Sequence, residues 1–142
     1  MQLTYLSSAA ILIRDQDSSI LCDPWFIDGE YYGSWCHYPP CTIKPDELNN
    51  LDGIYITHIH PDHFSIKTLE KMNKQIPIFI HKFHSDFLKR SIKNLGFNVI
   101  EVEHDKRVNI KKNLNIRILA ADNCDPTLCF KYFGCGIAEK SF

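Results

Sequence analysis

The chain has 142 residues, one domain's worth and enough to bury a core. Its 44% hydrophobic and 23% charged content is that of an ordinary globular domain, and a net charge of −1 with scattered Lys and Arg offers no footprint for nucleic acid. No apolar run reaches the roughly 18 residues that a membrane-spanning helix needs, and MQLTYLSSAAILIRD lacks the basic lead of a cleaved signal, so a cytoplasmic location and no membrane partner are expected.

In chain order, LTYLSSAAILIR reads as a strand, a bend at the serines and a second strand. After the turn DQDSS, residues 18–24 (SSILCDP) read as the partner strand, which Pro24 stops. WFIDGEYYGSWCHYPP is rich in aromatics, Gly and Pro and reads as a long ordered loop; its rings either wall a substrate pocket or pack the loop. KPDELNN suits a single helical turn with Pro45 at its first position. LDGIYITH, 51–58, is a short apolar strand. SIKTLEKMNK, 65–74, reads as a helix with Ser65 as N-cap and Ile66, Leu69 and Met72 on one side.

PIFIH is another strand. HSDFLKRSIKNLGF then makes a helix with Phe87, Leu88, Ser91, Ile92 and Leu95 on one face, Gly96 past its end and Phe97 folding back. NVIEVE is a strand, and VNIKKNLNIRILAAD a hairpin around Lys112 and Asn113 with Leu114, Ile116, Ile118 and Ala120 alternating. The tail CFKYFGCGIAEKSF shows no convincing element. The order is β-rich, then βαβαβ, then β again: an α/β domain with a mixed sheet and helices outside it. The six cysteines (Cys22, Cys36, Cys41, Cys124, Cys129, Cys135) form no CxxC pair and read as mostly reduced thiols.

The chemistry concentrates in THIHPDHFS, Thr57 to Ser65, directly after an apolar strand. His58 and His60 are two apart at the strand end, so both rings point to the same side. Pro61 turns the chain, and Asp62 and His63 project from the loop that leads into the next helix. Neutral imidazole and carboxylate suit zinc, and imidazole also suits iron. The spacing allows two ligands for one metal and two more for a second metal or for an active water. Asp62 either binds a second metal or accepts the proton of a water that a single metal has acidified. The competing reading is a solvated turn, which suits one histidine better than three histidines and an aspartate.

His58-Ile59-His60-Pro61-Asp62-His63 resembles the HxHxDH signature of the metallo-β-lactamase fold superfamily, and the earlier strand Ile20-Leu21-Cys22-Asp23-Pro24 resembles its companion motif. Asp-Pro-Trp at 23–25, Gly-Ser-Trp at 33–35 and the prolines 39 and 40 are similar to the branch that holds CMP-N-acetylneuraminate hydroxylase and lactonase-like hydrolases. The resemblance implies a four-layer αββα sandwich with metals at the edge between two sheets, of which residues 1–142 would form the N-terminal half to two-thirds. It implies a metal-dependent hydrolase whose metal-activated water attacks an ester, phosphoester, lactone or amide of a small-molecule substrate. The metal would be zinc, with iron or manganese as alternatives. His58 and His60 would bind the first metal and Asp62 and His63 the second, with Asp23 orienting a ligand.

Two features depart from the family pattern. Where a further histidine is expected, residues 118–128 offer Asp122, Cys124 and Asp125 instead. Asp125 lies closest to the expected place, although Asn-Cys-Asp-Pro is also good turn chemistry. The bridging carboxylate and last histidine of the pattern would fall beyond residue 142, so the domain reads as truncated, with an exposed sheet prone to self-association. Two alternatives stay open: a fragment of a sugar-nucleotide oxygenase, whose Rieske ligands this chain lacks, and a non-catalytic remnant that binds metal. His84 suits a polar role at a helix start, with approach to the site as its alternative, His81 flanks the same turn, and His37 and His104 have no partner nearby in sequence.

Overall fold

The computed structural model describes residues 1–111 and 114–119 in full, and residues 120 and 134–140 as backbone. Among the described residues nine strands form two sheets. The first takes β1 (Gln2–Ser7), β2 (Ala10–Asp15), β3 (Ser18–Cys22), β4 (Gly53–Ile56), β5 (Ile78–His81) and β6 (Val99–Val102) in that spatial order. β1 to β3 pair antiparallel through tight turns, whereas β3 to β6 run parallel. Parallel neighbours need a crossover. α2 (Ile66–Lys71) and α3 (Phe87–Asn94) supply those between β4, β5 and β6. The second sheet is antiparallel: β7 (Arg107–Lys111), β8 (Leu114–Ala120) and β9 (Gly134–Lys140).

The period of two along each strand divides the core. Leu12, Leu21, Ile54, Ile56, Ile78 and Ile80 point to one face, where Leu69, Leu88 and Ile92 of the helices cover them. Ile13, Ile20, Tyr55, Phe79 and Val102 point to the other, where Leu114, Ile116 and Ile118 of β8 close the second cluster. Helices, mixed sheet and second sheet are three of the four expected layers, all within the described residues. No helix among them is long and apolar enough to cross a membrane.

Several expectations change in detail. β9 occupies Gly134–Lys140, in the tail where the sequence shows no element; Gly134, Gly136 and Ala138 carry too little side chain to print a pattern, and pairing with β8 supplies the order. α2 stops at Lys71 because Met72 turns extended (ψ 157°), and Ile66 is exposed at 45% rather than part of a buried face. Phe87 is likewise exposed, leaving Leu88 and Ile92 as the seal of α3. The aromatic stretch contains a four-residue helical segment, α1 (Glu30–Gly33), with Tyr31 and Tyr32 in left-handed conformations. Gly96 sits at φ +89° past α3, and Phe97 is buried, as the capping pattern requires. Residues 112–113 at the hairpin tip, and Asp122, Cys124 and Asp125, lie outside the described residues.

Candidate metal centre

The parallel strands β3 to β6 end together at one edge of the sheet, which is where open α/β sheets place ligands. Asp23 follows β3, and Thr57 and His58 follow β4 beside it, with Asp23 N–H donating to the Tyr55 carbonyl at 2.9 Å. Asp23 is buried and holds φ +45°, a left-handed conformation that is strained for a non-glycine residue.

In that conformation the Asp23 carboxylate gathers the loop. Oδ1 accepts the Thr57 N–H at 2.8 Å. Oδ2 accepts the Thr57 hydroxyl at 2.8 Å and the His63 Nδ1 at 2.9 Å. Since Thr57 Oγ1 spends its proton on Asp23, it accepts from His58 Nδ1, 2.9 Å away. Both rings therefore carry the proton on Nδ1, leaving Nε2 as the lone-pair nitrogen, the tautomer that a metal-ligating histidine needs. The sequence places Asp23 near the site; the structure identifies His63 as the ring it holds and adds Thr57 as the shared relay.

The three rings lie against one another, His58 at 4.6 Å from His60 and 4.1 Å from His63 between centroids. His60 is exposed, and its carbonyl accepts the N–H groups of His63 and Phe64, closing the turn. Asp62 brings Oδ2 to 3.5 Å from His63 Nε2, while its Oδ1 is buried with no hydrogen-bond partner.

Burial, reinforced by the neighbouring His63 and His60, lowers the pKa of His58 to about 4 against the pull of Asp23 and Asp62, so the ring is neutral at pH 7. Burial also pulls His63 down, but the hydrogen bond and charge of Asp23, with Asp62, outweigh it and raise the pKa overall.

These donors are gathered but not converged: among the described residues no group of three or more His, Cys, Asp or Glu side chains is placed to hold a metal ion. The chemistry of the set nevertheless fits one. A buried carboxylate oxygen without a donor, beside imidazoles whose Nδ1 protons are already committed, is the surrounding of a cation.

His37 is tied by Nδ1 to Asp28 at 2.5 Å and by Nε2 to the Trp25 carbonyl at 3.1 Å, partners nine and twelve residues away that no local pattern announces. Hydrogen bonds from the His37 backbone and ring hold the Asp28 carboxyl below its usual range. His84 is exposed; Ser85 Oγ takes the helix-start role by accepting the Phe87 N–H at 3.3 Å.

Residues 18–132 match the family described as the beta-lactamase superfamily domain. The chain belongs to that superfamily. It is similar, at 32% identity over 84% of its length, to a protein of Mycolicibacterium smegmatis named as a Rieske 2Fe-2S iron-sulfur protein, of which it covers 24%. It is also 32% identical, over 70% of its length and 18% of the relative's, to the cytidine monophosphate-N-acetylneuraminic acid hydroxylase of Xenopus laevis. Among solved structures, a "possible metal-dependent hydrolase" from Veillonella parvula superposes with a TM-score of 0.75 at 19% identity, over 99% of this chain and 58% of that one. That likeness is one of fold. The chain spans about a quarter or less of these two curated relatives, and the metallo-β-lactamase fold to which it belongs generally binds divalent metals.

Proposed function

We propose that this chain is the metal-holding part of a metallo-β-lactamase-fold hydrolase acting on a small-molecule ester, phosphoester, lactone or amide. The observation that carries the reading is the Asp23–Thr57 network, which sets the Nδ1–H tautomer of both His58 and His63. His58, His60, Asp62 and His63 would hold the metal, zinc with iron or manganese as alternatives, and Asp125 is a further candidate ligand. When bound, the metal supplies the Lewis acidity that lets water hydrolyse such substrates at neutral pH. The chain's own contribution is orientation and proton handling. His58 stays neutral through burial and keeps a lone pair on Nε2, His63 is aimed by Asp23, and Asp62 offers an oxygen without a donor, either to a metal or, where a single metal is held, to a proton.

A second reading is that the chain forms part of an oxygenase, favoured by the hydroxylase and Rieske names of relatives at 32% identity. Elemental analysis of the purified chain beside the His58→Ala/His60→Ala double variant separates the two. Stoichiometric metal that the variant loses, with turnover of a lactone and ester panel, supports the hydrolase. Bound iron with oxygen-dependent turnover and no hydrolysis supports the oxygenase. Absence of stoichiometric metal overturns both and leaves a non-catalytic remnant.

A further inference from the structure

A concavity of about 390 Å³ opens between the β1–β2 turn and the segment 36–43. Ile11 pairs with Cys22, so the β1–β2 turn lies at the same sheet edge as Asp23, and Trp25 reaches into the lining two residues after it. Its size falls in the range of small-molecule sites, roughly 300–1,000 Å³.

Beside Leu6, Cys36, Cys41 and Ile43, the lining has two kinds of surface. Tyr38, Pro39 and Pro40 offer exposed flat faces, and the buried rings of Trp25 and His37 back them. Trp25 and His37 pack together at 4.0 Å between centroids, and both have spent their polar atoms on the protein: Trp25 Nε1 donates to the Ile27 carbonyl, and both His37 nitrogens face acceptors. Buried as they are, they form the base of the cleft and offer it no hydrogen bonds.

The second kind is hydroxyl. Tyr5, Ser7, Ser8, Tyr38 and Thr42 line the cleft, and none of their hydroxyls bonds another described residue. Tyr38 is 99% exposed and Tyr5 71%, so neither ring is there to fill a core. No Asp, Glu, Lys or Arg lines the cleft, and any charge on His37 is matched by Asp28.

A phosphate or carboxylate would find no countercharge here. An apolar chain would cover the hydroxyls and leave them unpaired. A saturated ring with C–H faces and hydroxyl edges satisfies both surfaces at once. We propose that this cleft binds an uncharged, hydroxyl-bearing ring of pyranose size, as a binding site that does not depend on the metal.

The test is tryptophan fluorescence of the full chain titrated with methyl β-D-glucopyranoside, with glucose 6-phosphate and open-chain sorbitol as competitors. A saturable change is expected from the glycoside, with both competitors weaker by roughly tenfold or more. Tyr38→Ala weakens the glycoside by roughly tenfold through loss of a ring face, whereas Tyr38→Phe keeps most of the affinity. Thr42→Val, which swaps a hydroxyl for a methyl at nearly constant shape, weakens it as well. Protein dialysed against a chelator binds the glycoside unchanged, so a failed metal site and a failed cleft give different results. No saturable response, equal affinity for sorbitol or the phosphate, or full affinity in Tyr38→Ala would overturn the proposal.

Discussion

Asp23 shows how one residue can set a site from outside it. A left-handed non-glycine conformation costs on the order of 1–2 kcal/mol, and three hydrogen bonds to Thr57 and His63 offset it. Asp23→Asn puts an amide donor where Oδ1 or Oδ2 accepts, so either the Thr57 N–H or the shared Thr57–His63 acceptor is lost. Metal affinity in competition with a chelator should fall by roughly 10–100-fold; unchanged affinity would remove Asp23 from the site.

His81, the last residue of β5, supplies a further pH dependence. Burial lowers its pKa, opposed by a hydrogen bond with the Val102 backbone and helped by the charge of His104, and its Nδ1 is buried without a partner. The unfolded chain takes this proton near pH ~6.5, the folded chain only at lower pH. Between the two values the unfolded state holds more protons, so stability is complete above the unfolded value and is lost as pH falls toward the folded one. The urea midpoint should drop between pH 7.5 and 5.5, and drop less in His81→Gln. His58 pushes the same way, so the residual slope is not zero.

Among the elements, β4 depends most on a small residue. A Cβ on Gly53 would meet the Phe79 ring at 2.6 and 3.0 Å, because β5 lays that ring across the start of β4. Gly53→Ala should cost about 1–3 kcal/mol through overpacking, read as a lower denaturant midpoint at unchanged slope. Since β4 delivers His58, metal affinity should weaken alongside stability. α2 is set differently: Ser65 Oγ accepts the Thr68 N–H at 3.2 Å, and Thr68 Oγ1 in turn accepts the Phe26 N–H at 3.0 Å, pinning the loop after Asp23 to the helix after His63.

At the scale of the whole molecule, the mixed sheet is wider than the described part of its partner sheet. Leu3 (64% exposed), Tyr5 and Ile11 (38%) lie on the face that carries Ile13, since Leu3 pairs with Ile13 and Tyr5 with Ile11. An apolar strip on an edge strand favours association. Sedimentation velocity should show concentration-dependent self-association that Leu3→Glu with Ile11→Glu suppresses; a chain that stays monomeric at every concentration would refute it.

Strand alternation and helix caps were legible in the sequence because they rest on local rules: a period of two decides which face Leu12 and Ile13 take, and only certain residues suit Ser65 and Gly96. The HxHxDH run was legible as chemistry because His58, His60, Asp62 and His63 are adjacent in the chain. The tertiary structure decided the rest. Asp23 meets His63 across forty residues, His37 finds Asp28 through a turn, β9 gains its order from β8, and the cleft arises where the β1–β2 turn faces residues 36–43. These depend on which strand ends share an edge, and that follows from packing two sheet faces at once rather than from any window of sequence.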